Sequence, residues 1–533
     1  MGRGAELAQL HRWLEKALGG ERQVVFVTGE PGIGKTTLVE AFLVGIRDWG
    51  LGVGPLSSQT LSSKSQVASR LTQHSGLNTQ DRSSLAPNPQ HPTPSLWLGH
   101  GQCIEHFGAG EAYLPVLEAL GQLCRQPGHE RFIELLTRYA PTWLVQLPWL
   151  LTRAEQESLQ RQVMGAPRER MLREMAELVQ ALTTEAPLVL VVEDLQWSDY
   201  STLDLLAFLA RRRETARLLF VGTYRPVDVI LRDHPLKGVK QEMVMHGRCA
   251  ELPLELLTEK VVAEYLSVRF GEAAVRELSL QELARRIHQR TDGNPLFMVN
   301  LVDYLVAQGV IVREGGSDRT PVPVEPGRLK EKVEALTLGV PTNVRQMIAV
   351  QLEELTPEER RVLEAASVVG VEFAAPTVAA ALQEGTVRVA EWCEGLTRRG
   401  QFLRPTGVSE WPDGTVTASY GFLHALYQET LYEQVTATRL VEFHRRIGVR
   451  QETAYGDRVG EIAAALAVHF EEGREYGRAV QHLQRAAENA LQRSAHREAI
   501  NHLTKALDLL KVLPDTPERD RQELTLQIAL GPA

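Results

Sequence analysis

Cysteine is scarce in this chain, and the few cysteines lie far apart in the sequence. Cys103, Cys124, Cys249 and Cys393 show neither the close spacing of a disulfide framework nor the spacing of a zinc site. We therefore expect neither disulfide bonds nor a cysteine-bound metal. Isolated thiols of this kind behave as small core residues in a reducing compartment, so the sequence predicts a cytoplasmic protein.

The sequence also lacks a long apolar run and an excess of positive charge. No stretch reaches the ~20 apolar residues of a transmembrane helix, and the first residues do not resemble a signal peptide. The 58 Lys and Arg are outnumbered by 67 Asp and Glu, which gives a net charge of -9. We therefore expect no membrane association and no direct nucleic-acid binding by this segment. At 533 residues the chain is too long for one core, and three or four domains are expected.

The strongest positive signal is a phosphate-binding loop at Gly29–Thr36, GEPGIGKT, which fits G-x-x-x-x-G-K-[ST]. An apolar run precedes it and a helical pattern follows, which is the context that the motif requires. Backbone N–H groups and the helix N-terminus would surround the phosphates of ATP or ADP. Lysine would contact the β- and γ-phosphates, and threonine would bind Mg²⁺. We expect this lysine to be exposed in the empty site. The predicted nucleotide-binding residues are Gly29, Gly32, Gly34, Lys35, Thr36 and Thr37.

Two acids, Glu193 and Asp194, follow a second apolar run at 188–192. In an open α/β sheet, ligands bind at the carboxyl ends of the strands. By register, Glu193 is predicted to bind Mg²⁺ together with Thr36, partly through water, and Asp194 to orient the attacking water. The usual metal-side acid is Asp. If the register of the pair shifts by one residue, Asp194 would bind the metal and Leu195 would stand at the position of the base. Hydrolysis would then be slow or absent. The acids could instead be helix N-caps.

A third strand is predicted at 217–226, and Arg225 near its end would contact the γ-phosphate and so complete the catalytic set. The alternative is an ordinary surface arginine after a strand. A further strand is expected just before 101–103. Four parallel strands with intervening helices predict a doubly wound parallel sheet.

Several motifs follow one another along the chain, and they are Gly2-Arg3, the phosphate loop, 193–199, 222–226, 293–297 and 422–427. Their order resembles the signal-transduction ATPases with numerous domains, which are AAA-related proteins that include maltose-type transcription activators and cyclase-associated ATPases. The resemblance spans nearly the whole chain.

The resemblance implies an ATP-driven switch that hydrolyses ATP slowly. ADP would hold a closed state, and exchange for ATP would open the molecule and let it form homo-oligomers. An inducer or protein partner would act on C-terminal repeats. By the same resemblance, Arg225 is a sensor arginine, Pro295 packs on the adenine, and His424 contacts the β-phosphate. From the residues alone, 293–295 could be a turn before a helix at Leu296–Ala307, and His424 a core histidine.

The predicted fold class is an α/β P-loop NTPase core followed by an all-α lid, a winged-helix domain and α-solenoid repeats. The predicted boundaries are 1–230 for the core, 231–315 for the lid, 316–440 for the winged helix and 441–533 for tetratricopeptide-like repeats. Within the core, 55–95 is rich in Ser, Gln, Thr, Asn and Pro and predicts a disordered insertion. Residues 314–341 have the composition of a linker.

The C-terminal part contains an internal repeat, because 479–486 matches 499–506 in its spacing of alanine and leucine. Two copies are fewer than the ~3 repeats of a stable array, so we expect the natural chain to extend further, and a DNA-binding or cyclase domain could precede residue 1. Two other functions fit the same sequence: a constitutive AAA-type motor, and a nucleotide-binding scaffold that does not hydrolyse ATP. Turnover, with and without an added ligand, separates them.

Overall fold

The computed structural model describes the chain in eight ranges, which are 2–48, 96–103, 111–126, 129–163, 167–270, 280–307, 344–353 and 355–531. The insertion predicted at 55–95 and the linker predicted at 314–341 lie outside these ranges. Among the helices that the structure describes, none combines the length and apolar character needed to span a bilayer. The four cysteines are free thiols.

The first part of the chain forms a parallel sheet with strand order β2-β3-β4-β1-β5. Its strands are β1 (Gln23–Thr28), β2 (Trp97–Gln102), β3 (Leu188–Glu193), β4 (Leu218–Tyr224) and β5 (Ala250–Pro253). Side chains alternate between two apolar layers, because successive residues of a strand point to opposite faces. In β1, Val25 packs in the same layer as Phe42, whereas Phe26 packs in the layer of Leu206.

Helices cover both faces of this sheet, which confirms the predicted doubly wound α/β core. They are α1 (Gly4–Leu18), α2 (Lys35–Asp48), α3 (Leu114–Leu123), α4 (His129–Tyr139), α5 (Pro141–Leu144), α6 (Arg153–Val163), α7 (Arg168–Glu185), α8 (Tyr200–Arg211), α9 (Pro226–Leu231) and α10 (Leu236–Met245). The carboxyl ends of β1, β3 and β4 meet at one edge of the sheet, where the predicted site residues follow them.

The fifth strand corrects one expectation, because β5 lies inside the segment 231–315 that was predicted to be all-α. It pairs with β1 over four residues, from Val25–Ala250 to Thr28–Pro253. Its sequence, AELP, contains no apolar run and ends in proline. A short edge strand of this kind is held by its backbone pairing to β1, which leaves little pattern in the sequence.

Three helices then form a separate small core, here called the three-helix unit (259–307). They are α11 (Glu259–Phe270), α12 (Leu280–Thr291) and α13 (Pro295–Ala307). Buried side chains at helical spacing, including Val262, Ile287 and Val302, bring them together.

The next segment, here called the hairpin unit (344–434), combines helices with a three-stranded antiparallel sheet in the order β6-β8-β7. A Thr356–Glu359 capping box starts its second helix. Its elements are α14 (Val344–Glu353), α15 (Pro357–Val369), β6 (Glu372–Ala374), α16 (Ala375–Leu382), α17 (Thr386–Arg398), β7 (Leu403–Glu410), β8 (Val416–Phe422) and α18 (Ala425–Gln434).

The last described part is a stack of helices, here called the helix stack (437–530). The alanines of the internal repeat are buried in α21 and α22, as at Ala479 and Ala499. The helices are α19 (Ala437–Tyr455), α20 (Ala463–Glu472), α21 (Tyr476–Gln492), α22 (His496–Leu510) and α23 (Pro517–Leu530).

The helix stack docks on the nucleotide-binding core. Ala490, Ala495 and Ala499 belong to the same apolar cluster as core residues of α3 to α8. Polar contacts flank this cluster. Arg493 Nη1 donates to Glu111 Oε1 at 2.8 Å, and the buried Glu498 accepts from the Ser201 N–H at 2.9 Å. The α/β core and the helix stack are thus packed together.

Candidate nucleotide-binding site

The phosphate loop adopts a backbone that glycine favours. Gly29, Gly32 and Gly34 all have positive φ, at 153°, 76° and 95°. A Cβ on Gly32 would lie 2.8 Å from the Leu296 Cβ, so the glycine also lets the three-helix unit approach the loop. Thr36 and Thr37 follow in the first turn of α2, and both are exposed.

Lys35 is folded back against its own loop. Its Nζ donates to the carbonyl oxygens of Gly29 at 2.8 Å and Glu30 at 3.0 Å, and the residue is only 7% exposed. The expectation that this side chain is exposed in the empty site is therefore wrong. Burial lowers the pKa of Lys35 to about 8, and the nearby Arg225 acts in the same direction. An incoming phosphate would supply the negative charge that this ammonium lacks.

Glu193 lies next to Thr36 at the carboxyl end of β3. Its Oε2 accepts a hydrogen bond of 2.5 Å from the Thr36 hydroxyl, and its Oε1 lies 3.0 Å from His100 Nε2. Burial alone would raise the pKa of Glu193, but the contacts with His100 and Thr36 hold it below its ordinary value. A hydroxyl and a carboxylate held together are oxygen ligands of the type that Mg²⁺ takes beside nucleotide phosphates. The residues present therefore fit Mg²⁺.

His100 was missed by the sequence reasoning. It lies in β2 opposite Val191 of β3, and this register carries its ring to Glu193. Burial disfavours the charged ring, but the hydrogen bond and the negative charge of Glu193, together with the charges of Glu118 and Glu40, outweigh that effect and raise the pKa of His100. A polar residue in an otherwise apolar strand was the available signal.

Asp194 sits beside Glu193 in a left-handed conformation, φ 56°, which Asp tolerates better than most residues. Its N–H donates to the Thr223 hydroxyl at 3.0 Å, and its Oδ1 accepts from Gln196 Nε2 at 2.9 Å. Its side chain makes no helix-capping bond, so the N-cap alternative does not apply to it. Burial raises the pKa of Asp194, while the charge of Arg225 opposes that rise.

Arg225 is 7% exposed, so it is not the surface arginine of the alternative interpretation. Its N–H donates to Gln196 Oε1 at 3.1 Å, and this bond joins the ends of β3 and β4. Its Nη1 donates to Glu429 Oε1 at 3.2 Å and lies 3.7 Å from Asp228 Oδ2. Glu429 belongs to α18 of the hairpin unit, a contact that no local pattern predicts.

The three-helix unit touches the phosphate loop just before α13. The Asn294 side-chain amide donates to the Pro31 carbonyl at 3.1 Å, and the Leu296 N–H donates to the Gly32 carbonyl at 3.2 Å. Pro295 lies between these two contacts, as the first residue of α13. The structure thus brings Pro295 next to the loop. From the N-terminal side, Arg3 Nη2 donates to the Ile33 carbonyl at 3.1 Å.

His424 is half-buried and precedes α18, where its Nδ1 accepts from the Leu426 N–H at 3.1 Å. It therefore caps this helix through a side chain. The following residues of α18 reach the site, because Ala425 and Glu429 line the same cavity as Thr36.

That cavity, about 1550 Å³, lies beside Thr36 at the start of α2. Thr36 and Glu193 line it from the core, Glu429 from the hairpin unit and Arg493 from the helix stack. Three parts of the chain therefore enclose the edge of the sheet where the γ-phosphate is expected.

The loop, the acid pair and the parallel sheet can be compared with known families. Residues 1–221 match the AAA ATPase domain. Together with the geometry above, this match indicates a nucleotide-binding ATPase, and AAA ATPase domains bind ATP or ADP with Mg²⁺.

An uncharacterized protein of Rhizobium meliloti (strain 1021) is 27% identical over 368 residues, which cover 69% of this chain and 32% of that protein. The chain thus spans about a third of the length of this relative.

Two archaeal proteins are among the similar solved structures. A Walker-type ATPase of Pyrococcus abyssi has a TM-score of 0.33 at 16% identity, covering 80% of this chain and 95% of its own. A Signal Transduction ATPase with Numerous Domains from Pyrococcus horikoshii, which has a tetratricopeptide repeat sensor, has a TM-score of 0.39 at 14% identity. Its alignment covers 98% of this chain and 64% of that one.

Proposed function

We propose that this chain is a signal-transduction switch of the transcription- or signalling-regulator type. It binds ATP, hydrolyses it slowly, and cycles between an ADP-bound closed state and an ATP-bound open, oligomeric state. The observation that carries the proposal is the set of contacts around the phosphate loop. Asn294 of the three-helix unit touches the loop, and Glu429 of the hairpin unit holds Arg225. A nucleotide bound there would bridge three parts of the chain.

In this proposal each residue has a defined task. Lys35 binds the phosphates, Thr36 and Glu193 hold Mg²⁺, Asp194 orients the attacking water, and Arg225 senses the γ-phosphate. Mg²⁺ supplies charge neutralisation on the phosphate oxygens when it is bound.

The remaining assignments of the proposal rest on the resemblance. Pro295 packs on the adenine, and His424 reaches the β-phosphate from a winged-helix domain formed by the hairpin unit. The helix stack is a tetratricopeptide-like sensor for an inducer or protein partner. Its docking on the core through Arg493 and Glu498 supports a closed resting state, because it places the sensor in contact with the ATPase domain.

Small-angle scattering tests the switch directly. A ligand that binds only the closed form must stabilise that form by mass action. We expect ADP with Mg²⁺ to reduce the radius of gyration relative to nucleotide-free protein, and a non-hydrolysable ATP analogue to increase it. His424→Ala should weaken the response to ADP, and Lys35→Ala should abolish both responses. An identical radius under all conditions would leave a plain ATPase with attached helices.

Turnover separates the switch from its two alternatives. A constitutive motor would hydrolyse ATP without any partner at rates of about 1 s⁻¹ or more. A scaffold would bind ATP and show no turnover. The switch predicts basal turnover well below about 1 s⁻¹ that rises when the helix stack is released from the core.

A further inference from the structure

Arg225 carries an ion pair that crosses the boundary between the core and the hairpin unit. Its Nη1 lies 3.2 Å from Glu429 Oε1, although 204 positions separate the two residues. The Arg225 side chain is 8% exposed and that of Glu429 is 20% exposed, so the pair is largely shielded from water. A shielded guanidinium–carboxylate contact is stronger and more selective than one at the surface.

This pair lies within the charges of the phosphate site. Lys35 interacts electrostatically with both Arg225 and Asp194, and Glu429 lines the same cavity as Thr36. A γ-phosphate held by Lys35 and Thr36 would therefore enter beside Arg225. Carboxylate and phosphate oxygens are both anionic hydrogen-bond acceptors. They would therefore compete for the same N–H donors of the guanidinium.

We propose that Glu429 is a specificity-determining residue that makes the site discriminate ADP from ATP. Its carboxylate accepts the hydrogen bond from the Arg225 guanidinium that a γ-phosphate would otherwise accept. ADP binds with the pair intact, whereas ATP binds fully only when its γ-phosphate displaces Glu429. Because Glu429 lies on α18, that displacement loosens the hairpin unit from the core. This inference rests on the proposed function, and it supplies a physical reason why ATP binding would open the molecule.

The structure also provides a place for the displaced carboxylate. Arg345 Nη2 of α14 lies 3.5 Å from Glu429 Oε2, and Arg345 is half-exposed. Glu429 can therefore leave Arg225 and keep a cationic partner inside its own unit. A shielded carboxylate without a cationic partner would have a much higher free energy. The contact with Arg345 therefore lowers the free-energy cost of moving Glu429 away from Arg225.

Glu429→Gln tests the proposal, and Glu433→Gln is its matched control. Glu433 lies one turn further along α18 and pairs with the same Arg345, but it makes no contact with Arg225 in the described structure. The dissociation constants of ADP and a non-hydrolysable ATP analogue are measured by competition with a fluorescent nucleotide at fixed Mg²⁺. In Glu429→Gln we expect affinity for the analogue to rise relative to ADP by about 10-fold, in line with coupling of close charge pairs. Glu433→Gln should leave the ratio within about 2-fold of wild type.

A second variant keeps the test decisive if Glu429→Gln does not fold. Glu429→Asp keeps the charge but shortens the side chain by one methylene, so it should raise the same ratio by a smaller factor. A wild-type ratio in whichever of the two variants melts cooperatively overturns the proposal. If wild-type protein still compacts with ADP in that case, the switch stands and only the role of Glu429 fails. If wild-type scattering does not respond to nucleotide, the proposed function itself fails.

Discussion

At the scale of single residues, the burial of Lys35 determines the charge and the hydrogen bonding of its ammonium group in the phosphate site. Its ammonium is bonded to two loop carbonyls and partly desolvated, and it lies close to the like charge of Arg225. We expect these two cations to bind the phosphates of a nucleotide, because phosphate oxygens accept charge-assisted hydrogen bonds from both side chains.

Lys35→Ala should therefore reduce ADP affinity by roughly 10- to 150-fold, since a hydrogen bond to a charged group contributes about 1.5–3 kcal/mol. The free energy of unfolding without nucleotide should change by less than about 2 kcal/mol, because loss of two hydrogen bonds is offset by removal of a desolvated charge. Titration with fluorescent ADP and urea unfolding measure the two quantities. Wild-type affinity in a folded variant would refute the assignment of the loop.

The acid pair should separate into two roles. Asp194→Asn is expected to retain ATP binding and lose hydrolysis, because an amide does not accept a proton from water. Glu193→Gln should instead raise the Mg²⁺ concentration required for binding, since the oxygen next to Thr36 loses its charge. Single-turnover hydrolysis and Mg²⁺ titration measure these effects. Normal hydrolysis in Asp194→Asn would show that the register of the pair is wrong.

At the scale of elements, α13 is tied to the phosphate loop by its capping residue. The Asn294 Oδ1 accepts from the N–H groups of Leu296 and Phe297, at 3.1 and 3.2 Å, while its amide nitrogen donates to Pro31. One side chain thus starts the helix and links it to the loop.

Two substitutions separate these tasks. Asn294→Ala should lower the free energy of unfolding by about 0.5–2 kcal/mol through loss of the cap. Asn294→Asp keeps the cap acceptor and should cost less, but it removes the donor to Pro31. We expect both variants to weaken ADP binding. Denaturant unfolding and ADP titration of the pair provide the test, and unchanged ADP affinity in Asn294→Asp would show that the link to the loop is without effect.

Local motifs were predictable from the sequence, and contacts between distant elements were not. The loop at Gly29–Thr36 and the acids after β3 were found because strand, turn and helix signals adjoin them. The pairing of His100 with Glu193 depends on the register of two strands that are far apart in sequence. The contact of Arg225 with Glu429 depends on how two folded units meet. Nothing in the local sequence distinguishes Glu429 from other acidic residues of a helix.

At the scale of the whole molecule, docking of the helix stack brings two acids together. Asp199 is buried at the start of α8, and Glu498 of α22 lies close to it. Burial raises the pKa of Asp199 from 3.8 to about 6, and the charge of Glu498 adds to that effect, while hydrogen bonds from Thr202 and Tyr113 oppose it.

This arrangement predicts a pH dependence of stability. Because the folded pKa is raised, the folded state binds more protons than the unfolded state between pH 3.8 and about 6. The contribution of Asp199 to stability is therefore most favourable below this window and is lost as pH rises through it. Between pH 7 and pH 5, Glu498→Gln should gain less stability on acidification than wild type, and the exposed control Glu488→Gln should match wild type. Melting temperatures at both pH values provide the comparison, and equal pH responses in all three proteins would contradict it.

The same docking has a consequence for biosynthesis. Glu111 and Arg493 are 382 positions apart, and the apolar cluster beside them includes Ala490, Ala495 and Ala499. A ribosome adding about 5–20 residues per second needs about 20–80 s to cover that distance. Throughout this interval the nascent ATPase core displays the surface that the last helices will cover. We therefore expect the nascent chain to be a client for chaperones that shield apolar patches, and the core to complete its packing only after the helix stack emerges.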